Sequence, residues 1–303
     1  MSTPTAIAGT GSQPVVPETL PVAAASRRRR GVLGIRVAAA VLGLVVLMVV
    51  AAPLLAPYDP NAQDLLLGAT APGTDGHLLG TDQLGRDLLS RLLFGGRPVL
   101  AVSVVAALLA GAVGILLGVS SGYLGGLVDD ALSRLTEIQL AIPTILLAIV
   151  VIGFGATGLP VLVAILVLAE WPLFFRLSRS VVAALRQQPY LAAAVGYGAS
   201  RARIVVLHLG RAVLPVAVVA FTLTFANAIA LESSLSYLGL GVQPPQSDWG
   251  SMVAQGKAQL SDAWWISILP GLAIAAVVFA TNRLGDRLAD RASLGDHGGE
   301  LGG

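Results

Sequence analysis

The chain has 303 residues, of which 55% are hydrophobic and only 12% are charged, and its formal net charge is +2. A soluble domain of this size carries about 25% charged residues, and here the apolar residues form long uncharged runs instead of alternating at the periods of a globular core. The composition therefore excludes a water-soluble globular protein and predicts an all-α integral membrane protein. Cysteine is absent, which excludes disulfides, thiolate metal sites and thiol nucleophiles.

The N-terminal segment has the composition of a disordered tail. Residues 1–26 are rich in Pro, Thr, Ser, Ala and Gly and are almost uncharged, so they cannot bury enough surface to offset chain entropy. We predict a disordered cytoplasmic tail over residues 1–34, in which Arg27–Arg30 precede the apolar run Val37–Ala56. A secretory signal peptide is the alternative, but signal h-regions span roughly 7 to 15 residues and this run is longer.

Uncharged runs recur along the chain at about the length needed to cross the ~30 Å hydrocarbon core of a bilayer. In hydrocarbon, each backbone N–H and C=O needs a partner within its own segment, so we predict six transmembrane helices. Pro143 and Pro172 are expected to kink their spans rather than to end them. The six runs are Val37–Ala56, Pro98–Val119, Ile138–Gly155, Leu159–Phe175 with Glu170 inside it, Ala212–Leu231 and Trp264–Asn282.

The basic residues predict the orientation, because Lys and Arg gather on the cytoplasmic side of membrane proteins. With both termini inside, the outer side keeps only Arg86, Arg91, Arg97 and Lys257. The other basic residues then fall in cytoplasmic segments, and dropping any one span would move a basic loop outside. Those cytoplasmic residues are Arg27–Arg30, Arg36, Arg134, Arg176, Arg179, Arg186, Arg201, Arg203, Arg211, Arg283, Arg287 and Arg291.

These spans divide the chain into three parts beyond the tail. Segment 35–96 holds the first transmembrane helix and an external loop, segment 97–290 holds a five-helix core, and 291–303 form a cytoplasmic tail. Within the external loop, leucines recur at helical spacing between Gly80 and Gly95, which predicts an amphipathic helix at the membrane surface. Asp87 and Arg91 stand four residues apart and are expected to pair on that helix.

The longest basic loop, residues 176–211, contains six arginines and no acidic residue. Pro189 suits a first helical turn, and Gly198 can supply the left-handed residue that ends a short helix over Tyr190–Tyr197. Ser200 can cap a following helix that carries Arg203. A helix, a glycine turn and a second helix make a compact projection able to enter a groove on a partner protein. The alternative is an ordinary basic loop near lipid headgroups.

The sequence resembles a known family, the permease subunits of ABC importers, and specifically the C-type subunits of the dipeptide, oligopeptide and nickel systems. One stretch that carries the resemblance matches the external signature of that subfamily. It includes Gly80, Thr81, Asp82, Gly85, Arg86 and Asp87. A second stretch, from Glu232 to Gly250, resembles an outer loop of the family.

The basic loop corresponds to the family's EAA loop, which docks onto an ATP-binding subunit. Two positions depart from the family pattern, since Ala192 stands where an acidic residue is usual and Gly210–Arg211 replace a Leu-Pro pair. The matching residues, which the resemblance assigns to coupling with the ATPase subunit, are Tyr190, Ala193, Ala194, Gly198, Ala199, Ser200 and Arg203.

The resemblance implies the type I importer permease fold and a multi-pass chain in the plasma (inner) membrane. The implied partners are a homologous permease, two ATP-binding subunits and an extracytoplasmic substrate-binding protein, in addition to membrane lipid, with no nucleic acid. A P-loop needs a lysine before Ser or Thr, and the single lysine, Lys257, stands between Gly256 and Ala258. We therefore expect no enzymatic activity and no bound cofactor in this chain, with ATP and Mg used by the partner subunits.

Three acidic residues at or near span ends, Glu137, Glu170 and Glu232, are candidates for the substrate pathway, because ionisable groups in a bilayer are costly. Solvation at headgroup level, or a pair with a nearby arginine, is the alternative. His208 has no cluster of ligand residues around it and is expected to pack rather than to bind a metal. No catalytic constellation is visible.

Two further patterns concern packing. Gly114, Gly118 and Gly122 form a small-residue stripe that permits close approach of another span, with pore lining as the alternative. Trp264 and Trp265 open the last span at headgroup level and are expected to anchor it.

The resemblance favours di- or oligopeptides as substrates, while nickel or another small solute is the alternative within the same architecture. An ion-driven secondary transporter is the alternative of another class.

Overall fold

The computed structural model describes residues 22–153, 158–200 and 203–297, and the described part consists of helices joined by turns, without strands. Single-turn 3₁₀ segments lie at Leu65–Leu67 and Lys257–Gln259, and a π-helical turn at Ile204–Leu209. The α-helices are α1 (Val22–Val50), α2 (Ala52–Leu55), α3 (Leu88–Leu124), α4 (Gly126–Ala141), α5 (Thr144–Gly153), α6 (Leu159–Arg186), α7 (Pro189–Gly196), α8 (Gly210–Tyr237), α9 (Trp249–Gly256) and α10 (Trp265–His297).

Four helices are long and apolar enough to cross a membrane by themselves. These are α3, α6, the continuous helix Ile204–Tyr237 that includes α8, and Trp265–Asp290 of α10. A fifth crossing results if the bent pair α4 and α5 is one span, and the apolar part of α1, Gly34–Val50, is shorter. The described residues thus contain four to five candidate spans, where the sequence predicted six. Residues 22–34 of the predicted tail are helical in α1, and residues 1–21 lie outside the described part.

The two prolines predicted to kink their spans behave differently. Pro172 lies inside the unbroken helix α6. At Pro143 the helix ends instead: α4 stops at Ala141, α5 begins at Thr144, and the two axes differ by 87°. Proline clashes with the carbonyl four residues before it and disfavours helical geometry at the preceding residue, and Ile142 has an extended ψ of 120°. The prediction of a mere kink at Pro143 is therefore wrong.

Helices α3 and α6 pack closely through the predicted glycine stripe. A Cβ atom on Gly114 would lie 2.5 Å from the carbonyl oxygen of Trp171, and one on Gly118 would lie 2.5 Å from that of Phe175. Only glycine lets the two backbones approach this closely. Because later residues of α3 meet later residues of α6, the two helices run in the same direction. The prediction that the stripe serves packing is confirmed.

Helix α8 runs antiparallel to α3 and α6, and helix α10 runs antiparallel to α8. Residues near the end of α6 cluster with the start of the α8 span, through Val182 and Leu209, so α8 is antiparallel to α6. A Cβ on Gly285 of α10 would meet Thr222 of α8, and Trp265 lies at the opposite end, against Thr81. The bundle accordingly has one end that holds residues 58–91 and α9, and another that holds the basic loop.

The segment before α3 is not the predicted surface helix. Gly80 and Gly85 have φ angles of +78° and +70°, which lie in the left-handed region that an α-helix does not use. Helix α3 begins only at Leu88 and then continues unbroken into the span. The prediction of an amphipathic helix over Gly80–Gly95 is therefore wrong over residues 80–87, where leucine spacing alone suggested a helix.

Candidate functional site

The external signature segment, residues 79–87, is a tight turn organised around Asp82. This carboxylate is 2% exposed. Its Oδ1 accepts hydrogen bonds from the backbone N–H groups of Leu84 and Arg86 at 2.9 and 3.0 Å. Its Oδ2 pairs with Arg86 Nε at 2.7 Å and with Arg91 Nη1 at 3.0 Å. Buried carboxylates need this degree of pairing to offset their desolvation, so Asp82 holds the turn together.

Asp87 closes the signature segment and starts α3. Its Oδ2 accepts from the backbone N–H of Ser90 at 2.8 Å, the geometry of a helix N-cap, and its Oδ1 lies 2.8 Å from His77 Nδ1. The predicted pair of Asp87 with Arg91 is therefore wrong, because Asp87 is occupied by the cap and by His77 while Arg91 pairs with Asp82. Both oxygens of Asp87 therefore have partners other than Arg91.

The glycines of the signature are required by its path. A Cβ atom on Gly85 would lie 1.7 Å from the backbone carbonyl oxygen of Asp64. A Cβ atom on Gly80 would lie 2.5 Å from the backbone carbonyl oxygen of Thr70. Thr81 is fully buried, and its hydroxyl donates to the carbonyl oxygen of Leu67. All six predicted signature residues therefore belong to one folded unit.

This unit is fastened to α9 and α10. The side-chain Oε1 of Gln255 in α9 accepts hydrogen bonds from Arg86 Nη2 at 3.2 Å and from Arg91 Nη2 at 3.4 Å. The backbone carbonyl oxygen of Gln255 accepts one from Gln83 Nε2 at 2.7 Å. Trp265 is 7% exposed and donates from Nε1 to the carbonyl oxygen of Thr81 at 3.1 Å. Trp265 thus holds the signature segment instead of anchoring at headgroups, whereas Trp264 is 47% exposed, as an anchor requires.

Helix α9 begins at a buried carboxylate. Asp248 Oδ1 accepts the backbone N–H of Ser251 at 2.9 Å, which caps the helix, while Oδ2 is buried without a hydrogen-bond partner among the described residues. Burial raises the pKa of Asp248 above its usual value, against the opposing effect of the hydrogen bond from Ser251. Asp248 was not among the residues that the sequence singled out.

Replacing Asp248 by asparagine is expected to preserve the α9 cap, because an amide oxygen accepts the same N–H, whereas alanine should cost about 0.5–2 kcal/mol. The raised pKa means that the folded state holds the proton more tightly than the unfolded chain does. Wild-type stability should therefore decline as pH rises through that pKa, and Asp248→Asn should remove this decline. Thermal unfolding of the purified chain across pH measures both effects. Equal losses in both variants would contradict the cap.

The three acidic pathway candidates lie in different surroundings. Glu137 is exposed and pairs with Arg134 at 3.2 Å, as the alternative anticipated. Glu170 is buried in α6, with 8% exposure. Glu232 is fully buried, and Ser236 Oγ donates to its Oε1 at 3.1 Å, so solvation at headgroup level is wrong for this residue. The structure does not bring the three together, and their role in a substrate pathway stays a prediction.

At the other end of the bundle, the basic loop has the predicted form. Helix α7 runs from Pro189 to Gly196, and Gly198 follows with φ +82°, the left-handed conformation expected for a helix-ending glycine. Ser200 Oγ accepts from the backbone N–H of Arg203 at 3.3 Å, so it caps the next helix. The side chains of Ala193 and Ala194 lie outside the described part.

The basic loop is held by a cluster of apolar side chains and presents aromatic groups outward. Leu191 of α7 is 4% exposed and packs in a cluster with Val119 of α3 and Val182 of α6. Tyr190 is 48% exposed and Tyr197 is 93% exposed. A force applied to this projection would therefore reach two spans through Leu191. Sequence reasoning missed Leu191, although an apolar residue one turn into a short amphipathic helix is a usable signal.

No group of three or more metal-ligating side chains occurs among the residues described. His208 lies in the π-helical turn, partly buried, with Nδ1 lacking a hydrogen-bond partner in this part of the chain. At the end of the bundle that holds the signature segment, sequence reasoning missed His77 and Gln255, which are single polar residues in irregular or short elements. No periodic pattern marks such residues, because their role depends on contacts with distant segments.

Comparison with known proteins places these features in one family. The family model described as "Binding-protein-dependent transport system inner membrane component" matches residues 114–294. A second, described as "N-terminal TM domain of oligopeptide transport permease C", matches residues 35–72. The fold is similar to that of an inward-facing MetNI methionine ABC transporter structure, with a TM-score of 0.52 and 22% identity, covering 66% of this chain and 95% of that chain.

Curated relatives cover most of the chain. The di/tripeptide transport system permease protein DppC of Pseudomonas aeruginosa is 39% identical, over 82% of this chain and 83% of its own length. The probable D,D-dipeptide transport system permease protein DdpC of Escherichia coli is 37% identical, over 83% and 84%. The nickel transport system permease protein NikC of Escherichia coli is 34% identical, over 84% and 92%. This chain therefore belongs to the permease subunits of ABC importers, and within them to the C-type subunits of the dipeptide, oligopeptide and nickel family.

Proposed function

We propose that this permease forms half of a translocation pathway for di- or oligopeptides, paired with a homologous permease in the plasma membrane. The observation that carries the substrate class is the identity of 37% and 39% to two permeases named for dipeptide and di/tripeptide transport. An extracytoplasmic binding protein would deliver the substrate to the end of the bundle that holds the external signature segment.

The helix directions support six crossings with both termini cytoplasmic. Because α3 and α6 run in the same direction, the chain between Leu124 and Leu159 has to return across the bundle, which gives α4 and α5 the role of one bent span. Arg97 donates to the carbonyl oxygens of Val49 and Val50 at 3.1 and 2.9 Å, which puts this end of α1 beside the start of α3. Helix α1 then adds a sixth crossing, and it begins at the end of the bundle where α10 finishes.

Coupling to ATP would occur at the basic loop. Two ATP-binding subunits, which hold ATP and Mg, would contact α7 and the turn at Gly198, one on each permease. Leu191 would pass their movement to α3 and α6, so that closure of the ATPases reorients the spans and hydrolysis resets them. The geometry of the loop supports this step. Tyr197 is exposed at the tip of the projection, and Leu191 at its base is buried.

Nickel is the second candidate substrate, favoured by the 34% identity to a nickel permease over most of both chains. Competition between substrates separates the two. Uptake of a labelled dipeptide by the complete transporter should be blocked by excess unlabelled dipeptide and unaffected by nickel. Absence of dipeptide uptake, together with uptake of labelled nickel by the same transporter, would assign the chain to nickel.

The energy source is tested by uptake into vesicles that contain the complete transporter. Dipeptide uptake should require ATP and persist when an ionophore collapses the ion gradients. Replacing residues 188–206 by a flexible linker should abolish both uptake and co-purification of the ATPase subunits. Uptake that survives ATP depletion but stops with the ionophore would support an ion-driven transporter and overturn the proposal.

A further inference from the structure

A groove lies beside the turn of the basic loop, between residues 197–199 and the helix that leads into α8. Its volume is about 540 Å³, and Arg203, His208 and Arg211 are among the residues that line it. We call it the basic groove. It is formed by residues of this chain, and it shares Gly198, Ala199 and Arg203 with the surface proposed to contact the ATPase subunit.

The basic groove carries positive charge that the described part of the chain does not neutralise. Neither Arg203 nor Arg211 forms an ion pair with any described residue, and the loop 176–211 contains no acidic residue from which a partner could come. Arginines with no carboxylate nearby favour binding of an external anion.

His208 adds a third polar group to the same groove. Its Nδ1 is buried and has no hydrogen-bond partner among the described residues. Two guanidinium groups and one imidazole therefore line a single cavity, an arrangement that suits an anion with several acceptor oxygens better than it suits one carboxylate.

The position of the groove indicates the kind of anion. Arg211 lies in the first turn of α8, where the helix enters its apolar span, so the groove is at the level of the headgroups on the side that holds the basic loop. Anionic headgroups attract basic residues at this depth. We propose that the basic groove binds a phosphate group, carried either by an anionic phospholipid headgroup or by a free phosphate ester.

Phosphate binding at this place would hold Arg203 and Arg211 together beside the turn that the ATPase subunits are proposed to contact. The inference rests on the proposed cytoplasmic position of the basic loop for the lipid source. It does not need the ATPase subunits, so it can be tested without them.

The test uses the full-length chain in nanodiscs of neutral phosphatidylcholine. Native mass spectrometry measures retention of added phosphatidylglycerol, and titration calorimetry measures binding of inorganic phosphate. The double variant Arg203→Gln/Arg211→Gln should lose affinity by at least about tenfold, as expected for the loss of charged hydrogen bonds. The control Arg36→Gln/Arg134→Gln removes two exposed arginines predicted to lie on the same side and should change affinity less than about twofold.

Each outcome decides the matter. Arginine-dependent retention of the lipid alone identifies a headgroup, and arginine-dependent binding of inorganic phosphate identifies a free ester. Equal binding by the double variant and its control would overturn the proposal, as would no binding by the wild type. If the phosphate proposal is overturned in this way and the double variant also fails to co-purify with the ATPase subunits, the two arginines belong to a protein contact. The proposed function would then stand without the phosphate site.

Discussion

Replacing Gly198 by valine is expected to reduce ATP-driven uptake by roughly tenfold while the chain remains inserted in the membrane. The φ angle of Gly198 is +82°, and a side chain in that conformation costs about 1–3 kcal/mol, most of all when it is branched at Cβ. The strain would shift or loosen the turn between α7 and the next helix, and with it the surface proposed to contact the ATPase. Uptake by the complete transporter, normalised to the amount of inserted chain, measures the effect.

Asparagine at the same position is the matched control. Asparagine adopts positive φ more readily than other residues with a side chain, and a Cβ atom at Gly198 would meet nothing within 4 Å. Gly198→Asn should therefore retain most of the uptake that Gly198→Val loses. If both variants transported like the wild type, the left-handed turn would have no part in coupling. If both failed alike, the turn would have to be crowded by a partner rather than strained.

A single methyl group at Gly118 is expected to destabilise the chain by about 1–3 kcal/mol, because it overfills a closed helix interface. The added Cβ would lie 2.1 Å from Ser178 Oγ and 2.5 Å from the carbonyl oxygen of Phe175. The serine can rotate, but the carbonyl belongs to the backbone of α6, so α3 and α6 would have to separate. Thermal unfolding of the detergent-purified chain measures the loss.

Gly43 provides the comparison within the same protein. It lies in the apolar part of α1, and an added Cβ would meet nothing within 4 Å. Gly43→Ala should leave stability unchanged or raise it by up to about 1 kcal/mol, because alanine loses less conformational freedom in a helix than glycine does. Stability of Gly118→Ala at or above that of Gly43→Ala would contradict the close packing of α3 against α6.

The sequence predicted correctly those features of the basic loop that depend on one residue and its immediate neighbours. The helix start at Pro189, the left-handed Gly198 and the Ser200 cap each depend on one residue type and its immediate neighbours, and all three are present. The glycine stripe was equally readable, because spacing of four residues fixes one helix face. Family resemblance then connected these features to a partner that the chain itself does not contain.

Apart from the kink expected at Pro143, the predictions that failed depended on contacts between distant segments. Leucine spacing before α3 satisfied a helical pattern, but two left-handed glycines and the cap at Asp87 shorten the helix, and these are set by contacts to Asp64 and Thr70. The full burial of Glu232 was equally invisible, because α3 and α9, which pack on α8, come from elsewhere in the chain. Sequence periodicity contains no information about such tertiary contacts.

The most direct test of the central claim, that the basic loop faces an ATPase in the cytoplasm, uses single cysteines, since the wild-type chain contains none. Tyr197→Cys and Leu66→Cys place the thiol at positions that are 93% and 95% exposed, at opposite ends of the bundle. In intact cells, a membrane-impermeant maleimide should label only Leu66→Cys. In inverted vesicles it should label Tyr197→Cys, and bound ATPase subunits should protect that site. Labelling of Tyr197→Cys in intact cells would put the loop outside, where no ATP-hydrolysing subunit can reach it, and would contradict the account.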